Sequence, residues 1–201
     1  MRPTANARVS VTGSTGPIIP GDPRRASLPC DAVDVEDAIR SRRTHKAFAP
    51  DPLPRELLDQ LLEVARWAPN HHLTNPWRFR VLGPAALERL KEAAGPEAAA
   101  KLDRAPTLIA ATFVHSEDPV QDQEDLCATA CAVYAVLLAA HGRGLAGYWR
   151  TPGVLRTPPG LDALGIPPSE QFVALIHLGW PRQDREPPVR APTAEIVTYL
   201  D

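Results

Sequence analysis

The stretch SRRTHKAF, residues 41–48, sets Arg42, Arg43, His45 and Lys46 within five positions and ends on an aromatic residue, Phe48. The 201-residue chain has a formal net charge of -2, so no global basic field points to nucleic acid or an anionic membrane. The cluster must therefore act locally. Guanidinium groups clamp phosphate oxygens in pairs, and Thr44 with nearby backbone N–H groups would complete the shell, with Lys46 adding a point charge. A solvated charged turn is the other reading of this stretch taken alone. Neither a GxxxxGK[ST] loop nor a GxGxxG fingerprint is present, so a phosphate here would be held by side chains.

A second group of residues is WAPNHHLTNPWRF, residues 67–79, with two Trp, two His and two Asn between a helix and a strand. Aromatics concentrated in a loop serve no core. His71 and His72 are adjacent, a poor arrangement for one metal ion, and neither a carboxylate nor a cysteine joins them, so no metal is expected. Stacking and hydrogen bonding to a planar aromatic ligand is the more economical use, with Trp77 opening the core of its strand. A third stretch, GLAGYWRTPG at 144–153, combines glycines with Tyr148, Trp149, Arg150 and Thr151. Gly144 and Gly147 allow close approach of backbone.

These residues need elements to position them. Residues 1–33 are rich in Pro, Gly, Ser, Thr and Arg without sustained periodicity, which reads as a flexible N-terminal extension. One domain is expected over 34–201. VEDAIRSRR has the rhythm of a short helix carrying the basic cluster at its end. PRELLDQLLEVARWAP repeats Leu57, Leu58, Leu61, Leu62 and Ala65 as an amphipathic stripe, with Pro54 and Pro69 as boundaries. PWRFRVL alternates as a half-buried strand, and PAALERLKEAA returns to helix. APTLIAATFV, 105–114, suits a strand buried on both faces, as does EQFVALIHLGWP at 170–181. LCATACAVYAVLLAAHGRG is apolar almost all round, so its helix belongs in a core or a subunit interface. Cys127 and Cys131 within it read as small core residues, and Cys30 lies in the tail. The 187–200 segment is extended by its prolines and β-branched residues. No run reaches the roughly 20 apolar residues of a membrane span, and no secretory leader is evident, so a cytoplasmic location is expected. The fold class is α+β, a sheet sandwiched by helices.

RRTHKAF, APNHHLTNPWRF and GYWRT, in this order, resemble the nitroreductase family of FMN-dependent oxidoreductases, in particular its small single-domain bacterial branch. The resemblance extends over about 34–200. It implies a three-layer fold with a mixed, mainly antiparallel sheet flanked by helices, and a domain-exchanged homodimer with FMN at the interface. It implies that Arg42, Arg43 and Thr44 hold the FMN phosphate and ribityl chain and that Lys46 brings a cation to the flavin's pyrimidine edge or chain. His71 matches a histidine that contacts FMN from the other subunit. Trp149, Arg150 and Thr151 match a segment running along the isoalloxazine and phosphate, and Arg190 matches a C-terminal arginine that reaches the phosphate. Trp67 stands where relatives often place an arginine contacting FMN, and Asn75 replaces the usual glutamine before Pro-Trp. Leu73 stands in place of the common asparagine. Residues Ala139, Ala140, His141, Gly142, Arg143 and Gly144 align with a stretch assigned to nicotinamide-nucleotide binding.

The activity so implied is hydride transfer from NAD(P)H to FMN and on to a small nitroaromatic, quinone or related acceptor by a ping-pong mechanism. No side chain is then an obligatory catalytic acid or base, because flavin N5 carries the chemistry. The alternatives are a flavin-binding storage or regulatory protein without turnover, and a same-fold enzyme with different flavin chemistry.

Overall fold

The computed structural model describes residues 34–186 and 188–200. The expected N-terminal extension and Cys30 lie outside the described residues. Six helices and four strands follow in order: α1 (Val35–Ser41), α2 (Arg55–Ala65), β1 (Trp77–Val81), α3 (Pro84–Ala94), α4 (Pro96–Ala99), β2 (Thr107–Val114), α5 (Pro119–Gly142), β3 (Ala146–Arg150), α6 (Pro158–Ala163) and β4 (Glu170–Gly179).

The sheet has the order β1-β2-β4-β3, and every neighbouring pair of strands is antiparallel. A single parallel bridge joins it to the basic stretch, Thr44 to Gly147. The two central strands are buried on both faces, as their continuous apolar runs require. Alternation sends Ile109, Ala111, Phe113, Ala174, Ile176 and Leu178 to one face, where α2 and α5 cover them. Leu108, Ala110 and Leu175 point to the other, under α3, α6 and the turn that holds Leu155. The result is three layers, helix on sheet on helix, with α5 lying across one face.

Local signals account for the boundaries. Asp34 caps α1 by accepting from the N–H groups of Glu36 and Asp37. Helix α1 ends at Ser41: Arg42 closes it, donating its backbone N–H to the Ala38 carbonyl at 2.9 Å, and Arg43 follows outside the helix. Helices α3 and α5 each begin with a proline inside the first turn. β1 is an edge strand and alternates only at its start: Trp77 is buried, whereas Val81 is exposed.

Helix α5 departs from expectation twice. By length and composition it could cross a bilayer, contrary to the reading that no segment could. It instead buries Ala128, Ala132, Val133, Val136, Leu137 and Ala140 against the sheet. Its other face is open within the single chain, so Cys127 and Cys131 are exposed rather than core residues. The helix is apolar all round, and the sequence alone does not mark which stripe meets the sheet. The 188–200 segment is irregular, with one 3₁₀ turn at Thr193–Glu195, and Val189, Tyr199 and Leu200 are almost fully exposed.

Candidate active site

Beyond α1 the chain runs along the start of β3. His45 donates its backbone N–H to the Gly147 carbonyl at 3.2 Å, and Phe48 buries its ring in the core beneath. Gly147 also lets β3 pack closely under α5, since a Cβ there would come within 2.8 Å of the Leu137 side chain. The stretch is thereby fixed over the sheet edge with its arginines turned into a cleft of about 230 Å³. Arg42, Arg43, Thr44 and Arg190 line that cleft together, joined by Arg185 and Glu186. Four guanidiniums thus face one carboxylate in the same small volume.

Several polar nitrogens of this stretch are unpaired among the described residues. The buried Nε atoms of Arg42 and Arg43 and the Nδ1 of His45 have no hydrogen-bond partner among the described residues. Arg43 spends one terminal N–H on the Arg42 carbonyl at 2.8 Å. The Arg42 guanidinium lies 5.9 Å from the centre of the Tyr134 ring on α5. Burial, then the nearby charge of Arg185 and Arg42, lowers the His45 pKa from the ordinary imidazole value, against the opposing pull of Asp184. His141, at the end of α5, lies within 2.7 Å of the Ser41 hydroxyl, and burial followed by Arg42, His45 and Arg43 lowers its pKa too. The positive charge at neutral pH is therefore carried by guanidinium groups. Lys46 is exposed on the same stretch.

The second group of residues sits at the opposite end of α5. The 3₁₀ turn His71–Leu73 leads into a loop in which His72, Leu73 and Asn75 all have positive φ (52°, 54° and 46°), a costly conformation for residues with a Cβ. α5 holds it: His71 Nδ1 lies 2.7 Å from Glu124, and the Thr74 hydroxyl donates to the buried Asp125 at 2.6 Å. The Asn75 N–H donates to the Asn70 side chain at 2.9 Å. Trp67 is 78% exposed beside this loop and contributes nothing to the core. Between the loop and α5 lies an open hollow of about 620 Å³, floored by Cys127, Ala128 and Cys131.

The third stretch is split by strand alternation. Trp149 packs on the face shared by α2 and α5, whereas Arg150 turns to the other and donates to the Lys101 carbonyl at 3.0 Å. Arg150 is not among the cleft-lining residues, and Thr151 is exposed just past the strand. In the 139–144 stretch, Ala140 is buried and Ala139 packs on the core, Gly142 is half-buried, and Arg143 donates to the Ala139 carbonyl. Gly144 takes φ of 73°, which ends α5.

Residues 39–101 match the sequence model described as the Nitroreductase family. The Bacillus subtilis protein named "Putative NAD(P)H nitroreductase YfhC" is 28% identical over 83% of this chain and 94% of its own length. A nitroreductase-like family protein from Bacillus cereus superposes with a TM-score of 0.77 at 23% identity, covering 84% of this chain and 97% of that one. The "putative nitroreductase in complex with fmn" from Desulfovibrio desulfuricans superposes with a TM-score of 0.71 at 28% identity, over 83% and 96% of the two chains. The chain is thus similar in sequence to nitroreductases over 39–101, and its α+β fold resembles those of the nitroreductase-like structures.

Sequence reasoning missed Arg185, Glu124, Asp125 and Thr74. Arg185 stands in a segment with no periodicity, and nothing local distinguishes the two carboxylates from solvated helix residues. Only the fold brings them to the sites.

Proposed function

We propose that the chain is an FMN-dependent oxidoreductase that takes hydride from NAD(P)H and reduces nitroaromatic, quinone or related acceptors in ping-pong fashion. The relatives' names support the nicotinamide dependence, and the FMN-bound neighbour supports the flavin. The carrying observation is the cleft of Arg42, Arg43, Thr44, Arg185 and Arg190 with buried, unpartnered guanidinium nitrogens. A terminal phosphate monoester fits this donor set, because it supplies the acceptor oxygens and the negative charge that the cleft lacks.

In this reading Arg42, Arg43 and Arg190 bind the phosphate of FMN, and Thr44 adds a hydroxyl. The β3 backbone around Trp149 and Thr151 borders the ribityl and ring positions. When bound, FMN supplies the N5 position that accepts and returns hydride. Lys46 contributes a cation where negative charge develops, lowering its cost in the way fixed charges do in water-poor sites. His45 and His141, both neutral near pH 7, frame the cleft without adding charge.

The two groups of residues are far apart in one chain. Glu124 and His141 are separated by 17 residues of α5, which spans about 25 Å. An antiparallel pairing of two copies of α5 brings the His71–Asn75 loop and Trp67 of one protomer over the basic cleft of the other. The exposed apolar face of α5, Cys127, Cys131 and Tyr134 included, supports the same homodimer, as do the exposed apolar residues of the 188–200 segment. The protein then acts in the cytoplasm on small molecules, with one flavin in each of two interfacial sites.

Titration of flavin-free protein with FMN tests the cleft. Arg42→Ala and Arg43→Ala are each expected to weaken FMN binding about 10- to 100-fold, the range for losing hydrogen bonds to a charged group. Affinity for riboflavin, which has no phosphate, should hardly change. Equal losses for both ligands would place the arginines elsewhere than on the phosphate.

A further inference from the structure

Asp125 is 4% exposed, yet no cation pairs with it among the described residues. Its Oδ1 accepts two hydrogen bonds, one from the Thr74 hydroxyl at 2.6 Å and one from the Gln121 side chain at 3.0 Å. A buried carboxylate held by neutral donors is costly, and it persists where its donors need to be fixed. The Gln121 contact is local, one turn earlier on α5. Thr74 is 51 residues away in sequence, and it sits between Leu73 and Asn75, two of the three residues with positive φ. Asn tolerates the conformation of Asn75, but that of Leu73 is unfavourable for its residue type, so an outside hold helps the loop keep this shape. Glu124 supplies a second hold at His71, at the other end of the turn.

We propose that Asp125 is a positioning residue which, through the Thr74 hydroxyl, keeps the 71–75 loop in the shape that covers the partner's flavin. This rests on the reading above that the loop faces FMN across the dimer. The lock works because Asp125 is fixed by the helix that also forms the floor of the hollow. Loop shape and flavin cover are thus set from α5 and not from the loop's own sequence.

Thr74 is exposed, so its replacement opens no core cavity, and it is the better handle than Asp125. FMN affinity, the visible absorption of the bound flavin and the rate of its reduction by NAD(P)H would be measured for holoenzyme carrying Thr74→Val, Thr74→Ser and Asp125→Asn. Thr74→Val is expected to weaken FMN binding about tenfold, to shift the flavin absorption bands and to slow reduction. Thr74→Ser, which restores the hydroxyl, should return all three towards wild type. Asp125→Asn should fall between them, since its amide oxygen still accepts one bond. If Thr74→Val matches wild type in affinity and spectrum, or if Thr74→Ser fails to rescue it, the positioning role is overturned while the flavin reading stands. Wild-type protein that takes up no FMN overturns both.

Discussion

At the scale of single residues, the clearest division is between charge that is exposed to a ligand and polarity that is sealed away. His177 belongs to the second kind. It is fully buried on β4 beside Tyr148, with neither ring nitrogen partnered among the described residues. Burial, reinforced by Arg150 and Arg104, lowers its pKa to about 3. Below the ordinary imidazole range the unfolded chain takes up a proton that the folded protein refuses until about pH 3. Stability contributed in this way is whole at neutral pH and falls as pH drops from about 6.5. The expected slope is about 1.4 kcal/mol per pH unit between roughly pH 6 and 4. Urea unfolding across that range should show the slope in wild type, and His177→Gln should remove about one proton's worth of it. An unchanged slope would assign the acid sensitivity to other groups. Arg42 and Arg43 stood out in the sequence because their spacing is local, whereas Arg185 did not, and neither did His177 and Asp125, since their placement is a property of the fold.

At the scale of elements, the sheet is pinned at one end by a polar staple across three strands. Arg80 on β1 makes a two-pronged ion pair with Glu170 on β4, at 2.7 Å and 3.0 Å, and also donates to Thr112 on the intervening β2. The Thr112 hydroxyl donates to the same carboxylate. The Arg80 bond, then that of Thr112, holds the Glu170 carboxyl below its usual range against the effect of burial. Its contribution is present above the ordinary carboxylate pKa and is lost as pH falls through the depressed value. Glu170→Ala is expected to cost about 2–3 kcal/mol at pH 7, less than a fully sealed pair because Arg80 is partly exposed. Chemical denaturation would measure it, and a loss below about 0.5 kcal/mol would make the staple ornamental. The longer strands and helices were readable from periodicity, whereas the short α4 and α6 were not. β2 and β4 showed as unbroken apolar runs, and α2 as a leucine stripe. What periodicity missed was α5, where apolar residues all round the helix gave no sign that Cys127 and Cys131 face outward.

At the scale of the whole molecule, the basic cleft and the His71–Asn75 loop lie at opposite ends of α5. The basic cleft offers cations to a phosphate, and the His71–Asn75 loop with Trp67 offers a strained, partly aromatic cover. The proposed two-fold arrangement about α5 would join them and would bury the open apolar face of the helix. The motifs singled out both segments but not that about 25 Å of helix separates them in a single protomer. The central claim is that this chain cycles electrons through FMN. Its most direct test is anaerobic rapid mixing of the FMN-loaded protein with NADH or NADPH, followed by a nitroaromatic or quinone, with flavin absorbance as the readout. The account predicts bleaching of the flavin by at least one nucleotide and its return on adding the acceptor. A bound flavin that stays oxidised with both nucleotides would contradict it.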